Sequence, residues 1–327
     1  MNSSLPGLVE AVTLCFESLN GSCPRLVYSS ALRFPLYLLF ALIVLLILSG
    51  NLLVIFIIVF SQHIQTATNY LILSLSIAGF LLGGLVMPPS MVRSLETCWY
   101  FGEFFCDFHS TADIILCNTT VWHLTFISID RYLAICHPMH YQNRASNRLC
   151  FAMIVSSWFL ASIFGFAITL SHPHVKTKDS SHKPCAGGCF ALHAKEIGVE
   201  YSLVFFFIPV TVIVTVYARI FFVARRHAKF IHSYTHNSRG TASPAAKDLK
   251  ATKTLAIVIG NFLFCWTPFF MCNIIDPIVN HSIPSLLYEV LMWFAYMNSM
   301  FNPLIYAFFY SWFRETTKVL VNNLFKQ

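Results

Sequence analysis

Phe34–Phe60 reads FPLYLLFALIVLLILSGNLLVIFIIVF, a run without a single Asp, Glu, Lys or Arg. Coiled as an α-helix at about 1.5 Å per residue, it is long enough to cross the roughly 30 Å hydrocarbon core of a bilayer. The rest of the chain repeats the pattern. Tyr70–Val92, Leu149–Leu170, Leu255–Ile275 and Val290–Trp312 are equally free of charge, Phe108–Ile129 holds one acid, Asp113, and Tyr201–Ala218 is a shorter charge-free run that gains length if its helix starts near Ile197. Of 327 residues, 57% are hydrophobic and only 11% charged, with a mean hydropathy of +0.66. Soluble domains carry about a quarter charged residues, so an ordinary water-soluble enzyme is excluded. Collagen-like, disordered and nucleic-acid-binding classes fall with it, and 11 Cys in so long a chain do not make a small disulfide scaffold. The 32 Phe suit a surface that faces lipid.

Seven spans put the two ends of the chain on opposite sides of the membrane. With the N-terminus outside, the outer segments hold Arg25, Arg33, Arg93, Lys176, Lys178, Lys183 and Lys195, seven of the 21 Lys and Arg, and the inner side holds the rest. The positive-inside rule therefore predicts an extracellular N-terminus in a multi-pass protein of the plasma membrane. Acids outnumber bases in the outer segments, a mildly cation-attracting entrance. Sequons at Asn2, Asn20 and Asn280 fall on that side, where glycosylation is chemically open to them; the sequon at Asn118 lies mid-helix. No basic start followed by an apolar run marks a cleavable leader, so the first span is expected to act as the signal anchor. The polar stretch 219–253 reads as a flexible loop between two helices that run past the membrane. These bounds divide the chain into an N-terminal segment, 1–32, a helical bundle, 33–310, and an eighth helix with a short tail, 311–327.

Function starts from the few polar groups in hydrocarbon. A carboxylate at the centre of a membrane span costs about 2.5–3.5 kcal/mol or more, so Asp113 needs a compensating partner. Two readings compete: a protonated or hydrogen-bonded Asp satisfied by Tyr296 or water, and a site for a bound cation. No Lys or Arg lies at comparable depth in the other six spans, which favours the cation. Tyr201, Phe205, Trp266, Phe269, Phe270, Trp293 and Tyr296 cluster in the outer halves of the last three spans. Aromatic faces attract an ammonium by roughly 0.5–2 kcal/mol each and supply apolar area for a ligand's body. Each ring alone reads as core or lipid-facing; with Asp113 they suit an amine. His109 and His123 sit 14 residues apart on one helix, about 21 Å along its axis, and cannot share a metal. No cofactor is expected. Of the 11 cysteines, Cys15, Cys23, Cys98, Cys106, Cys185 and Cys189 fall outside, where oxidation is allowed, and six cysteines permit 15 pairings.

Short motifs then fall in order along the seven spans: Asn51 in the first, Asp130-Arg131-Tyr132 ending the third, Trp158 in the fourth, Pro209 in the fifth, Cys265-Trp266-Thr267-Pro268 in the sixth, and Asn302-Pro303-Leu304-Ile305-Tyr306 closing the seventh. Over residues 33–320 this pattern resembles the rhodopsin-like G-protein-coupled receptors. The run Asn298–Phe313, NSMFNPLIYAFFYSWF, matches NSxxNPxxYxxxYxWF at every fixed position, the fingerprint of trace amine-associated receptors. Met87-Pro88, Met91-Val92-Arg93-Ser94 and Cys98-Trp99-Tyr100-Phe101-Gly102 resemble the same group.

The resemblance implies an all-α, seven-transmembrane bundle with a short amphipathic eighth helix, and a receptor rather than an enzyme. Its partners would be a small-molecule amine of trace-amine or odorant type, the bilayer, and a heterotrimeric G protein of the stimulatory kind acting through cyclic AMP. It implies that Asp113, supported by Tyr296, pairs with the ligand ammonium, that Ile114, Cys117, Tyr201, Ser202, Phe205, Phe269, Phe270 and Trp293 line the ligand, and that Trp266 and Phe262 lie beneath it. Relatives that bind diamines carry a second acid on the fifth helix; here Tyr201 holds that position and Glu200 is turned away by about 100°, which favours a monoamine. Pro88, Pro209, Pro268 and Pro303 read as helix kinks. Asp130, Arg131, Tyr132, Asn302 and Pro303 would form the activation relay, with Asp248 locking Arg131 in the inactive state, Tyr217 and Tyr306 holding it in the active one, and Pro138-Met139 meeting the G protein. The implied disulfides are Cys106–Cys189, Cys15–Cys185 and Cys23–Cys98.

One departure stands out. Where the family pattern LxxxD places a sodium-coordinating acid in the second helix, this chain reads Leu75-Ser76-Ile77-Ala78-Gly79. Thr120, Asn298, Ser299 and Asn302 remain, but neutral oxygens alone bind a monovalent cation poorly. Sodium modulation is therefore expected to be lost, with a gap left beside Asn302, and signalling itself is in question. Odorant receptors share the run Asp130–Pro138 but lack the sixth-helix motif present here. An ion-coupled transporter would show paired repeats and further spans, which do not occur.

Overall fold

A computed structural model describes residues 9–61, 64–137, 141, 145–171, 185–189, 197–234, 244–280 and 282–324. Among them the chain is an all-α bundle with one small hairpin at its N-terminal end. Helix α1 spans Ser30–Phe60. Helix α2 runs Ala67–Leu81, continues through a π-helical turn, Leu82–Val86, and ends as Met87–Glu96. Helices α3 (Glu103–Cys136) and α4 (Ala145–Ser171) follow. Helix α5 begins as Ile197–Ser202, passes a second π turn, Leu203–Phe207, and proceeds as Ile208–Tyr234. Helix α6 is Pro244–Ile278, α7 is split into Ser285–Tyr296 and Asn298–Phe309, and α8 is Ser311–Leu324.

Six of these helices are long and apolar enough to cross a membrane as single pieces. The seventh span exists, but Met297 interrupts it and leaves two halves, each too short to cross alone. The predicted boundaries are too narrow where polar residues continue a helix: α3 takes in Glu103 and Asp107, and α5 runs to Tyr234 and α6 starts at Pro244, both inside the stretch 219–253 read as a loop.

Both π turns have the same cause. Proline has no N–H and its ring crowds the carbonyl four residues back, so the helix widens just before Pro88 and Pro209 and absorbs the missing hydrogen bond without breaking. Pro268 and Pro303 lie inside α6 and the second half of α7.

Helix α3 is the axle of the bundle, packed against α2, α4, α5 and α6, while α1 closes against α2 and the second half of α7. Outward-facing Phe34, Leu38, Leu45, Phe60, Phe151, Phe159 and Phe264 are more than half exposed, as residues against acyl chains should be. With lipid as apolar as leucine, close backbone approach and buried hydrogen bonds must hold the helices together. At the α3–α4 crossing Gly165 fits where a Cβ would stand 2.4 Å from Ile115. At the α2–α3–α4 junction His123 Nδ1 donates to the Thr119 carbonyl at 2.8 Å, and its Nε2 accepts from Ser74 Oγ at 2.8 Å; Trp158 Nε1 donates to the same hydroxyl at 3.0 Å.

Strands β1 (Val9–Leu14) and β2 (Pro24–Tyr28) pair antiparallel with Val12 opposite Leu26. The hairpin is fastened to the bundle from two sides. Glu96 at the end of α2 accepts from Tyr37 at 2.9 Å and pairs with Arg25 and Arg33. Thr97, left-handed at φ 54°, accepts from the Leu26 N–H at 2.8 Å, so the residue that ends α2 also holds β2. Cys23 N–H donates to the Ala186 carbonyl at 2.9 Å, and Trp99 N–H to that of Gly187 at 2.8 Å.

Three disulfides complete this end, and two differ from the implied pairing. Cys106 joins Cys189, but Cys15 joins Cys98 and Cys23 joins Cys185, with Cα separations of 5.8 Å and 4.9 Å. The exchange follows from the hairpin: Cys15 and Cys23 face each other across its turn, and the Cys23–Ala186 backbone bond sets Cys23 beside Cys185, leaving Cys15 to meet Cys98.

Candidate functional site

Asp113 lies two helical turns below the Cys106 disulfide of α3 and is 7% exposed. Tyr296 donates to its Oδ2 at 2.8 Å, and the Cys117 thiol, one turn along α3, donates to Oδ1 at 3.3 Å. No Lys, Arg or His lies within 4.0 Å of it among the described residues. A carboxylate has about four lone-pair sites, so the two donors found among the described residues leave it half satisfied in a low-dielectric place. Both readings of Asp113 are compatible with the Tyr296 bond; the unfilled capacity is what a cation would use.

The aromatic residues converge on the same depth from three helices. Tyr201 lies 4.8 Å from Phe205 and 6.0 Å from Phe270 between ring centroids; Trp266 is 5.7 Å from Phe270 and 6.3 Å from Phe269, nearly perpendicular to the latter. Trp293 meets Tyr296 edge-on at 5.9 Å and stacks on Phe40 of α1 at 3.8 Å. All seven predicted rings are buried, as are Ile114 and Cys117. Below them Phe262 is fully buried against Phe206. The Trp266 indole N–H is buried with no hydrogen-bond partner among the described residues. Ser202 is buried with its hydroxyl given to the Gly198 carbonyl at 2.6 Å, which leaves only its lone pairs for a ligand. Glu200 is exposed.

Several contacts were not foreseen. Tyr201 donates to Asn118 Oδ1 at 3.4 Å, so the asparagine set aside as an unusable sequon orients a pocket tyrosine. His109, one turn from Asp113, places Nε2 2.9 Å from the Val86 carbonyl and 3.1 Å from Ser90 Oγ. Arg93 and Glu289 lie inside α2 and α7 and pair at 3.6 Å instead of belonging to loops. Nothing in one helix's own periodicity announces such a contact, because it depends on which faces of two helices meet.

At the other end of α3, Asp130 is 3% exposed and accepts from Thr68 at 2.7 Å, from Tyr141 at 2.6 Å and from Arg131 Nη2 at 2.7 Å and Nε at 3.0 Å. Arg131 also reaches Thr68 and, at 3.3 Å, Tyr141. The arginine is thus folded back on its own helix and tied to α2. Tyr132 and Tyr217 are half-buried; Tyr306 is buried with its hydroxyl unpartnered among the described residues, and its ring lies 5.6 Å from Tyr310. Asp248 falls within α6, but its side chain lies outside the described residues, as do Pro138, Met139 and Asn2. Asn20 and Asn280 are exposed.

The expected gap at Gly79 is absent. A Cβ there would come 2.9 Å from Asn51 Oδ1, so the Asn51 amide fills the space, donating to the Ile47 carbonyl at 2.8 Å and to that of Ser299 at 3.1 Å. Asn302, expected beside the gap, is buried with Oδ1 unpartnered among the described residues, and Asn298 Oδ1 accepts from Asn261 at 3.1 Å. No group of three or more His, Cys, Asp or Glu able to hold a metal occurs among the described residues.

Known proteins agree with this architecture. Residues 50–306 match the family of the 7 transmembrane receptor (rhodopsin family). The chain is 42% identical to trace amine-associated receptor 1 of Macaca mulatta over 315 residues, covering 94% of this chain and 93% of the relative. It is 38% identical to trace amine-associated receptor 4 of Mus musculus over 330 residues, covering 99% and 95%, and 39% identical to mouse trace amine-associated receptor 5 over 321, covering 98% and 94%. With seven spans, the ordered motifs on α1 to α7 and relatives matched over nearly their whole length, the chain belongs to the trace amine-associated group of rhodopsin-family seven-transmembrane receptors, and is a receptor rather than an enzyme.

Proposed function

We propose that this receptor is activated by a monoamine and signals through a heterotrimeric G protein, of the stimulatory kind, from the plasma membrane with its N-terminus outside. The observation that carries the reading is Asp113: a buried carboxylate held by Tyr296 and Cys117, half satisfied, with no cation in reach among the described residues. An ammonium would complete its hydrogen bonds, and the rings of Tyr201, Phe205, Trp266, Phe269, Phe270 and Trp293 would receive the ligand's apolar part. Exposure of Glu200 and burial of Tyr201 support a single-amine ligand, since α5 offers the site no acid. Binding biases a two-state bundle by the ligand's differential affinity for the active arrangement, in which Arg131 leaves Asp130, Thr68 and Tyr141. We assign ligand capture to residues 33–310, glycan acceptor roles to Asn2, Asn20 and Asn280, and an inner-leaflet position to residues 311–327.

The test is Asp113→Ala in cells expressing the full chain, screened against aryl and alkyl monoamines with cyclic AMP and surface expression read together. Loss of every amine response at retained surface level is the expected result. Unchanged potency refutes the assignment.

A further inference from the structure

Outward of Asp113, α7 carries another carboxylate in line with it. Glu289, Trp293 and Tyr296 fall at i, i+4 and i+7 and share one face of α7. Glu289 therefore stands two turns, about 10 Å, nearer the hairpin than the tyrosine that binds Asp113. Taken alone, two acids on one stripe would describe a site for a dication. Helix α2 prevents it. Arg93 Nε lies 3.6 Å from Glu289 Oε1, Ser94 donates to Oε2 at 2.6 Å, and Trp293 Nε1 donates to the same Ser94 hydroxyl at 3.0 Å. Oε2 of Glu289 is hydrogen-bonded and Oε1 faces the guanidinium at ion-pair distance, and the pair is largely shielded from water, with the Arg93 side chain 14% and that of Glu289 22% exposed.

We propose that Arg93 is a charge filter: by neutralising Glu289 it denies the second acid to an incoming diamine and so restricts the site to ligands with one ammonium. This rests on the reading of Asp113 as the ammonium partner. The outer end of the site is neutral while the pair stands, so the second ammonium of a diamine loses water and meets no net negative charge. Such a pair adds little stability itself, but removing one partner leaves the other as an uncompensated buried charge. Glu289 without Arg93 is then a carboxylate in want of a cation. Selectivity by an element that repels the wrong ligand is a common solution where attraction alone does not discriminate.

The experiment uses purified full-length receptor and thermal stabilisation by ligand, a readout independent of the G protein. The probes are straight-chain n-alkylamines and α,ω-diamines of equal carbon number, compared on wild type, Asp113→Ala, Arg93→Ala and Arg93→Ala/Glu289→Gln. Wild type should favour the monoamine. Arg93→Ala should raise the diamine-to-monoamine affinity ratio by about tenfold or more, the scale of a hydrogen bond to a charged group, and Glu289→Gln should abolish the gain. An unchanged ratio in Arg93→Ala, or a gain that survives Glu289→Gln, overturns the filter while Asp113-dependent monoamine binding stands. Monoamine binding insensitive to Asp113→Ala, or no stabilisation of any variant by any amine, overturns the Asp113 reading and the filter with it. If Arg93→Ala does not fold, Arg93→Gln, which keeps a polar side chain there but removes the charge, decides by the same ratio.

Discussion

Replacing Gly79 by alanine tests whether the missing acid of α2 left a space or was compensated. The new methyl would stand 2.9 Å from Oδ1 of Asn51, closer than real Cβ contacts come, and a tight 3.1 Å from Nδ2, so the amide has to turn away. Turning forfeits its bonds to Ile47 and Ser299, at about 1 kcal/mol each, roughly 2 kcal/mol in all. Alanine regains about 1 kcal/mol of helix propensity over glycine. The net is a destabilisation of about 1 kcal/mol, against the stabilisation that propensity alone would give. Thermal melting of detergent-solubilised receptor should therefore show a midpoint lower by a few degrees. In an Asn51→Ala background the clash and the two bonds are gone, so the same Gly79→Ala change should raise the midpoint, a coupling of about 2 kcal/mol across the cycle. A Gly79→Ala receptor more stable than wild type would refute the packing argument.

Other outcomes follow from the same structure. Wild-type agonist affinity should not change when sodium replaces choline at fixed ionic strength, because the acid that would bind the ion is absent; a sodium-specific fall in radioligand affinity would show that Asn298, Ser299 and Asn302 suffice. Tyr141→Phe and Thr68→Val each remove one donor to Asp130, about 1.5–3 kcal/mol of support for the folded-back Arg131, so ligand-free cyclic AMP should rise in both and most in the double variant; basal signalling at wild-type level would contradict the restraint. Mass spectrometry of non-reduced peptides should find Cys15–Cys98, Cys23–Cys185 and Cys106–Cys189, and a Cys15–Cys185 peptide would reverse the exchange.

Much of this protein was determined by its sequence. Hydrophobic length specifies the spans because hydrocarbon leaves a backbone no partner but itself, so seven apolar runs can only become helices. The price of a charge in that medium singled out Asp113 before any contact was known, and Pro88, Pro209, Pro268 and Pro303 announced irregular backbone, though not that two of them would be absorbed as π turns. Tertiary structure alone decided which faces meet. The Arg93–Glu289 pair, the Asn118–Tyr201 bond, the Thr68 and Tyr141 restraint on Asp130, the occupation of Gly79's space by Asn51 and the partners of Cys15 and Cys23 all join residues distant in the chain. A helix records in its sequence which residues share a face, but the rotation and depth at which two helices pack are set by small residues and buried hydrogen bonds contributed by both, and neither sequence contains the other's half of that fit.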